Sequence, residues 1–195
     1  MPLKILQISD THNNHRRLAN LPPADVIVHC GDFTEMGTEQ ETLDFLNWFI
    51  DLPYKHKIFV TGNHDDCPSI DGLPENVHFL QDKACVIEGI KFFGLAYTHS
   101  ETLIPDEVDV LVTHEPPVMI LDESSGKNWG NLPLLERVFQ VQPKCHLFGH
   151  AHDAFGKEVI DGILFSNGAV LDDAYNLRDE VRIVEVGKTD SSCEK

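Results

Sequence analysis

Leu3–Ser9 carries apolar side chains at four of its seven positions and runs straight into the polar Asp10-Thr11-His12. That is the pattern of a strand buried on both faces with a functional loop at its carboxyl end. The segment Asn13–Asn20 predicts a short helix, closed by Pro22-Pro23. A second β-branched run, Asp25–His29, ends at Cys30-Gly31-Asp32. Thr38 with Glu41 three residues on predicts a capped helix to Asp51, with Leu43, Leu46, Phe49 and Ile50 on its apolar face. Lys57–Thr61 is a third strand, leading into Gly62-Asn63-His64-Asp65. Alternation of strand and helix to this point predicts an α/β layer with parallel strands.

The rhythm then changes. Lys83–Ile87 and Lys91–Leu95 flank Glu88-Gly89 as a hairpin, and Asp109–Thr113 is a strand ending at His114. Residues 116–130 read as a long loop, of the kind that in a compact domain is functional. A helix over Leu132–Gln140 leads to the strand Cys145–Phe148 and to Gly149-His150-Ala151-His152. A second hairpin, Lys157–Ile160 with Ile163–Ser166, and a last strand, Val181–Val186, complete the pattern. The expected organisation is one domain over 1–187 and a frayed polar tail over 188–195.

Composition removes several classes of function. With 15 basic and 32 acidic residues, the net charge of -17 opposes general binding to a phosphate backbone or an anionic membrane surface. No run approaches the ~18 apolar residues of a membrane span, and the N-terminal apolar stretch is too short for a secretion signal. The five cysteines are odd in number and contain no C-x-x-C pair, which predicts reduced thiols and a cytoplasmic protein. Oligomeric state is left open. Eleven histidines in so acidic a chain point instead to metal.

The positions of those histidines carry the argument. Five strands each run out into a metal-capable side chain: Asp10 and His12, Asp32, Asn63 and His64, His114, and His150 and His152. Ligands bind in the crevice beyond the carboxyl ends of such strands. Carboxylate, imidazole and amide oxygen suit first-row divalent cations, manganese foremost, with iron, zinc or magnesium as alternatives. A pair of ions sharing one carboxylate activates a bridging water as hydroxide and stabilises both attacking and leaving oxygens of a phosphoryl displacement.

The ordered blocks Asp10-Thr11-His12, Gly31-Asp32, Gly62-Asn63-His64-Asp65, His114-Glu115-Pro116-Pro117 and Gly149-His150-Ala151-His152 resemble the calcineurin-like metallophosphoesterases. The resemblance implies a two-sheet β-sandwich flanked by helices. It implies one cation on Asp10, His12, Asp32 and His152, a second on Asp32, Asn63, His114 and His150, and His64 as the acid that protonates the leaving oxygen. Gly31-Asp32-Phe33-Thr34-Glu35, Leu52-Pro53-Tyr54-Lys55 and Gln142-Pro143-Lys144 are similar to the metallophosphoesterase-domain-containing branch, which includes cyclic-nucleotide phosphodiesterases. Some members of that branch lack a histidine of the last block; this chain keeps both.

Met36 stands where the family's protein phosphatases carry an arginine that clamps a phosphomonoester dianion, which favours a small, nucleotide-like or other organic phosphodiester. A phosphomonoesterase and a non-catalytic protein-binding scaffold on the same fold are the alternatives. Glu35, in the place of the family's second acid, is expected to orient His64 and raise its pKa. Among the rest, His29 and Cys30 are expected to pack at a strand end, and His15, Arg16 and Arg17 to line a solvated helix face or reach the phosphate. Asp65 is expected to cap a turn, Asn167 to lie beside the site, and His99 to line the cleft or lie outside it. Lys127 and Trp129 either cover the substrate or anchor the long loop. His56, His78 and His146 are read as structural or surface residues.

Overall fold

The computed structural model describes residues 1–67, 70–97 and 99–187; the tail expected over 188–195 lies outside them. Thirteen strands and two α-helices among these residues are arranged around two facing sheets. The first sheet has the order β13-β1-β2-β3-β4, built from Arg182–Val186, Leu3–Ile8, Val26–His29, His56–Phe59 and Val77–Phe79. β1 to β4 are parallel and β13 is antiparallel to β1. The second has the order β11-β12-β10-β7-β6-β5, built from Gly156–Ile160, Ile163–Asn167, Cys145–Phe148, Val110–Val112, Ile90–Gly94 and Lys83–Ile87. Its middle strands β12, β10, β7 and β6 are parallel and its two edges are the expected hairpins.

Period-two alternation decides which residues meet. Leu3 and Ile5 of β1, with Val26, Val28 and Ile58, face Phe92, Val110, Val112, Cys145 and Leu147 of the other sheet in one buried cluster. Leu6, Ile8, Ile27 and Phe59 face outward and are covered by Phe45, Leu46 and Phe49 of helix α1, Glu39–Asp51. On the opposite outer face, Leu134, Val138 and Val141 of α2, Leu132–Val141, cover Leu111, Phe148, Ile163 and Phe165. The product is the expected two-sheet sandwich flanked by helices. Gln7, the polar interruption of β1, sits between the sheets, and its amide donates to the carbonyls of Phe148 and Ser166, both at 2.9 Å. These two bonds from a buried NH2 group tie the sheets together at the end where the site lies.

α1 opens with the expected capping box between Thr38 and Glu41. Its buried stripe, however, is Thr42, Phe45, Leu46 and Phe49, and Leu43 is exposed. Burial selects the i, i+3, i+4, i+7 stripe, and Leu43 falls one position off it. The helix expected over Asn13–Asn20 is a single 3₁₀ turn, His15–Arg17. His12 and Asn13 sit at positive φ, 38° and 62°, held by amide bonds to the carbonyls of Asp32 and Phe33 at 3.1 Å each, so no right-handed helix runs through them. His15 is correspondingly buried rather than solvated: it packs on Phe45 and Trp48 and meets the Asp44 carboxylate at 3.1 Å. Arg16 pairs with the same carboxylate and Arg17 with Asn14, so neither joins the site.

The loop over 116–130 is more ordered than its composition suggests. It carries a small ribbon, β8 (Glu123–Ser124) with β9 (Lys127–Asn128). The Asp122 carboxylate knots it by accepting from the Met119 and Gly130 amides and the Asn128 side chain, at 3.0–3.2 Å.

Candidate metal centre

The carboxyl ends of β1, β2 and β3 in one sheet and of β7 and β10 in the other open onto the same edge of the sandwich. Every metal-capable residue expected from the sequence is delivered there. Asp10, His12, Asp32, His114 and His152 are buried, His64 and His150 partly so, and Asn63 is exposed. Two ligand triads adjoin: Asp10, His12 and His152, and Asp32, His114 and His150, each with side-chain donor atoms within 4.8 Å of one another. His12, Asp32 and His64 form a third group of the same span, so His64 is within reach of the cluster it was expected to border.

Strained backbone aims these groups. Asp10, His12, Asp32 and His150 all have positive φ, of 56°, 38°, 55° and 68°. Non-glycine residues hold such conformations only where their surroundings over-determine them. Here the Asp10 amide donates to Gly31 O at 3.0 Å, and the His150 amide donates across to the Asp10 carboxylate at 3.0 Å. The flanking glycines leave no spare room. A Cβ on Gly149 would lie 2.2 Å from Asp10 Oδ2, and one on Gly62 would lie 2.1 Å from Asp32 Oδ1.

Ring orientation matches what a cation requires. His114 Nδ1 faces the Cys30 carbonyl at 2.9 Å and His152 Nδ1 faces the Asp172 carbonyl at 3.3 Å. A carbonyl accepts only from a protonated nitrogen, so in both rings Nε2 is the atom presented to the cluster. His114 Nε2 lies 2.9 Å from Asn63 Oδ1, 3.3 Å from Asp32 Oδ2 and 3.2 Å from His150 Nδ1, four groups converging on one place. His152 Nε2 lies 3.5 Å from Asp10 Oδ1, and His12 Nε2 lies 3.6 Å from Asp32 Oδ2. Both nitrogens of His12 are buried without a hydrogen bond. An orphaned buried imidazole beside two carboxylates fits the role of a metal ligand.

The electrostatics agree. Burial disfavours the charged form of His114, yet Asp32 and Asp10 hold its imidazolium up to about 10. Burial and that neighbouring charge push His150 down to about 4. Both Asp10 and Asp32 lie below their ordinary value although burial opposes it, because His152 and His114 favour their ionised forms. The pocket is built to hold positive charge.

His64 is fixed differently from the rest. Its Nδ1 donates to the main-chain carbonyl of Glu35 at 2.8 Å, which leaves Nε2 as the nitrogen available to a substrate. The expectation that the Glu35 carboxylate orients His64 is corrected accordingly: the contact is main-chain, and the carboxylate turns to His12 Nδ1 at 3.4 Å. Side-chain chemistry at position 35 is irrelevant to a carbonyl contact, which is why residue type pointed to the wrong atom.

Several residues matter more than the sequence suggested. Asp65, expected to cap a turn, accepts from the amides of Asp32, Thr34 and Gly62 and from the Thr34 hydroxyl, all at 2.8–2.9 Å. It clamps the β2 and β3 loops together. Burial and the Asp32 carboxylate push its pKa up to about 6 while those donors pull it back. Asn167 donates to the carbonyls of Ala151 and Gly149, bracing the Gly-His loop. Trp129, Tyr175, Ser124, Ser125 and Asp173 complete a cavity of about 250 Å³ whose floor is His12, Asp32, Asn63, His64, His150 and His152. Nothing in the pattern around Tyr175 marks it. His99 lines a neighbouring cavity beside His114 and pairs with Asp82. Cys30 contributes its carbonyl; its thiol faces the Gln7 amide. His29 packs at its strand end on Phe45 and Thr11, and His146 is buried against Phe148.

A two-sheet sandwich with adjoining Asp/His triads at one strand edge is the arrangement of the metallophosphoesterase class. The chain belongs to the calcineurin-like phosphoesterase superfamily, whose domain matches residues 3–188. Among similar proteins, a UPF0046 protein of Caenorhabditis elegans is 33% identical over 202 residues, covering 86% of this chain and 69% of its own length. Metallophosphoesterase domain-containing protein 1 of Homo sapiens is 32% identical over 197 residues, covering 76% of this chain; the match spans 60% of that protein's length. Of solved structures, TT1561 of Thermus thermophilus shares the fold at TM-score 0.66 and 12% identity, covering 96% of this chain and 100% of that one. Phosphopantetheinyl hydrolase from Mycobacterium tuberculosis does so at TM-score 0.60 and 14% identity, covering 88% and 90%.

Proposed function

We propose that the protein is a dinuclear metal-dependent phosphodiesterase acting on a small organic phosphodiester. The observation that carries this reading is the pair of adjoining triads, Asp10/His12/His152 and Asp32/His114/His150. We assign one cation to Asp10, His12, Asp32 and His152, and the other to Asp32, Asn63, His114 and His150, with Asp32 shared. When bound, two divalent cations supply an activated water nucleophile and positive charge for the phosphoryl oxygens. Manganese suits the mixed oxygen and imidazole donors, with iron, zinc and magnesium as alternatives.

The remaining work falls to the chain. His64, its Nδ1–H anchored on Glu35 O, acts in its doubly protonated form, giving the Nε2 proton to the leaving oxygen and remaining as the neutral Nδ1–H ring. Asn63, beside His114, binds a phosphoryl oxygen on the side of the second triad. The cavity lining contains no lysine or arginine among the described residues, and Met36 is exposed, so no guanidinium meets a second phosphate charge. That supports the monoanionic diester over the dianionic monoester. A single-domain arrangement over 1–187 accommodates the whole site. The free thiols of Cys30, Cys67, Cys85 and Cys145 support a reducing, cytoplasmic setting, and no helix among the described residues is long and apolar enough to cross a membrane.

The test compares bis-p-nitrophenyl phosphate with p-nitrophenyl phosphate under manganese, zinc, iron and magnesium, with His64→Ala and Asp32→Asn as controls. Faster turnover of the diester, lost in both variants, is expected. Preference for the monoester overturns the substrate class, and a protein that carries two metals yet turns over neither is a scaffold.

A further inference from the structure

Two aromatic side chains stand over the metal cluster without a role in the chemistry above. Trp129 meets His150 edge-on, with ring centroids 5.4 Å apart and planes at 89°. Tyr175 lies 5.1 Å from the His12 ring and 5.4 Å from the His152 ring. Both line the same cavity, one reaching it over each triad. Trp129 is 45% exposed and Tyr175 43%, in a chain whose phenylalanines Phe33, Phe45, Phe49, Phe59, Phe92, Phe148 and Phe165 are fully buried. Two half-exposed rings at the mouth of one cavity offer flat apolar faces to a ligand that enters it.

Each ring is held there by dedicated contacts. The Trp129 indole N–H donates to Ser124 O at 3.2 Å and its amide to Asp122 O at 2.9 Å. Lys127, which does not line the cavity, sets its ammonium 6.0 Å from the indole centroid. Tyr175 sits at φ 59°, a conformation rare for a bulky residue. Asp172 enforces it: its carbonyl accepts from the Tyr175 amide at 2.8 Å, and its carboxylate accepts from the Ala174 and Asn176 amides at 2.9 and 2.8 Å. The same carbonyl orients His152. Ser124 and Ser125 both donate to the Asp173 carboxylate, so the segment carrying Trp129 is fastened to the one carrying Tyr175. Strain accepted to place an aromatic ring over a site, and a lock that sets the spacing of two such rings, are features of a binding surface.

We propose that Trp129 and Tyr175 form the walls of a subsite for a planar aromatic ester group of the substrate, with the phosphoryl group on the histidine floor between them. The inference rests on the phosphodiester reading above and adds the chemistry of one ester substituent. A cavity of about 250 Å³ is at the small end for ligand sites and suits a phosphoryl group with one ring system rather than a polymer. Stacking tolerates many ring types, so the subsite selects aromatic over aliphatic esters rather than one base over another.

The test uses two diesters with the same aliphatic 2,2,2-trifluoroethanol leaving group, thymidine 5′-(2,2,2-trifluoroethyl) phosphate and methyl 2,2,2-trifluoroethyl phosphate, so that thymine is the only ring, and follows trifluoroethanol release by fluorine NMR. The metal-loaded protein is expected to prefer the thymidine ester in kcat/KM. Trp129→Leu and Tyr175→Leu should each cut that preference about tenfold, through KM. Trp129→Phe and Tyr175→Phe should retain most of it, and Trp48→Phe, distant in α1, all of it. No preference in the parent protein, or loss of both esters in equal proportion, overturns the subsite while leaving the diesterase reading intact. If neither ester is turned over, the diesterase reading fails and binding decides the subsite. In the Trp48→Phe protein Trp129 is the sole tryptophan: quenching of its emission by adenosine monophosphate, at concentrations where methyl phosphate has no effect, upholds the subsite, and equal responses overturn it.

Discussion

Asp65→Ala removes a side chain that touches no substrate and yet should cost the protein both stability and metal. Its carboxylate accepts from three main-chain amides, those of Asp32, Thr34 and Gly62, and from the Thr34 hydroxyl. Asp32, Thr34 and Gly62 are themselves buried, so the orphaned donors do not reach bulk water. At about 1–3 kcal/mol per unsatisfied buried group, and with water entering part of the space, a loss of roughly 3–6 kcal/mol follows. That is a large share of the ~5–15 kcal/mol that holds a typical domain. Urea unfolding of the metal-free protein measures it without the contribution of bound ions. With a slope of about 2 kcal/mol per molar, the midpoint should fall by roughly 1.5–3 M. Asp65→Asn, which keeps one acceptor oxygen but turns an amide toward the other donors, should fall between. Because the clamp joins the loops bearing Asp32 and Asn63, manganese content of the variant should also drop. A loss under about 1 kcal/mol with full metal content would show that the loops are held by something else.

Four further outcomes are expected. Glu35→Gln should leave the pH profile of turnover nearly unchanged, since His64 is held by the main chain, whereas a displaced profile would return the carboxylate to that role. Gly149→Ala should weaken metal binding at least tenfold by titration calorimetry, because the new Cβ lies 2.0 Å from Ser9 Oγ and 2.2 Å from Asp10 Oδ2; unchanged affinity would mean the loop yields freely. Burial holds His29 and His146 neutral, each with its pKa pushed down to about 3. Their unfolded forms take up protons below about pH 6.5. The stability they contribute is therefore present at neutral pH and lost as pH falls toward 3, by about 2 kcal/mol each at pH 5. His146→Gln should abolish its share of that slope in urea titrations at pH 7 and 5. Chelation should lower the melting temperature, and manganese at about 100 times Kd should restore about 2.7 kcal/mol per site; a chelator without effect would count against resident ions.

Strand and hairpin positions were legible because burial on alternate or both faces leaves an apolar record in the chain, and the ligand blocks were legible because each terminates such a strand. The short strand Val77–Phe79 left no such record, and the 3₁₀ turn at His15–Arg17 replaced a helix because bonds to a neighbouring loop hold residues 12 and 13 at positive φ. Residue type is enough to single out Asp10, His12, Asp32, Asn63, His114, His150 and His152 as candidate donors. It is silent on which nitrogen each ring presents, since Cys30 and Asp172 settle that through carbonyls that every residue possesses.

The same distinction separates Glu35 from Asp65 and Tyr175. Glu35 attracted attention as an acid in a motif, but acts on His64 through its main chain; Asp65 closes a motif whose pattern suggested only a turn cap, Tyr175 carried no motif, and the contacts of both follow from how two sheets bring distant loops together. Periodicity and donor chemistry are local properties, written residue by residue. Convergence across the sandwich, the strained backbone that aims the donors, and the aromatic walls above them depend on contacts between segments more than a hundred residues apart, such as the His150 amide on Asp10, and arise only once the chain has packed.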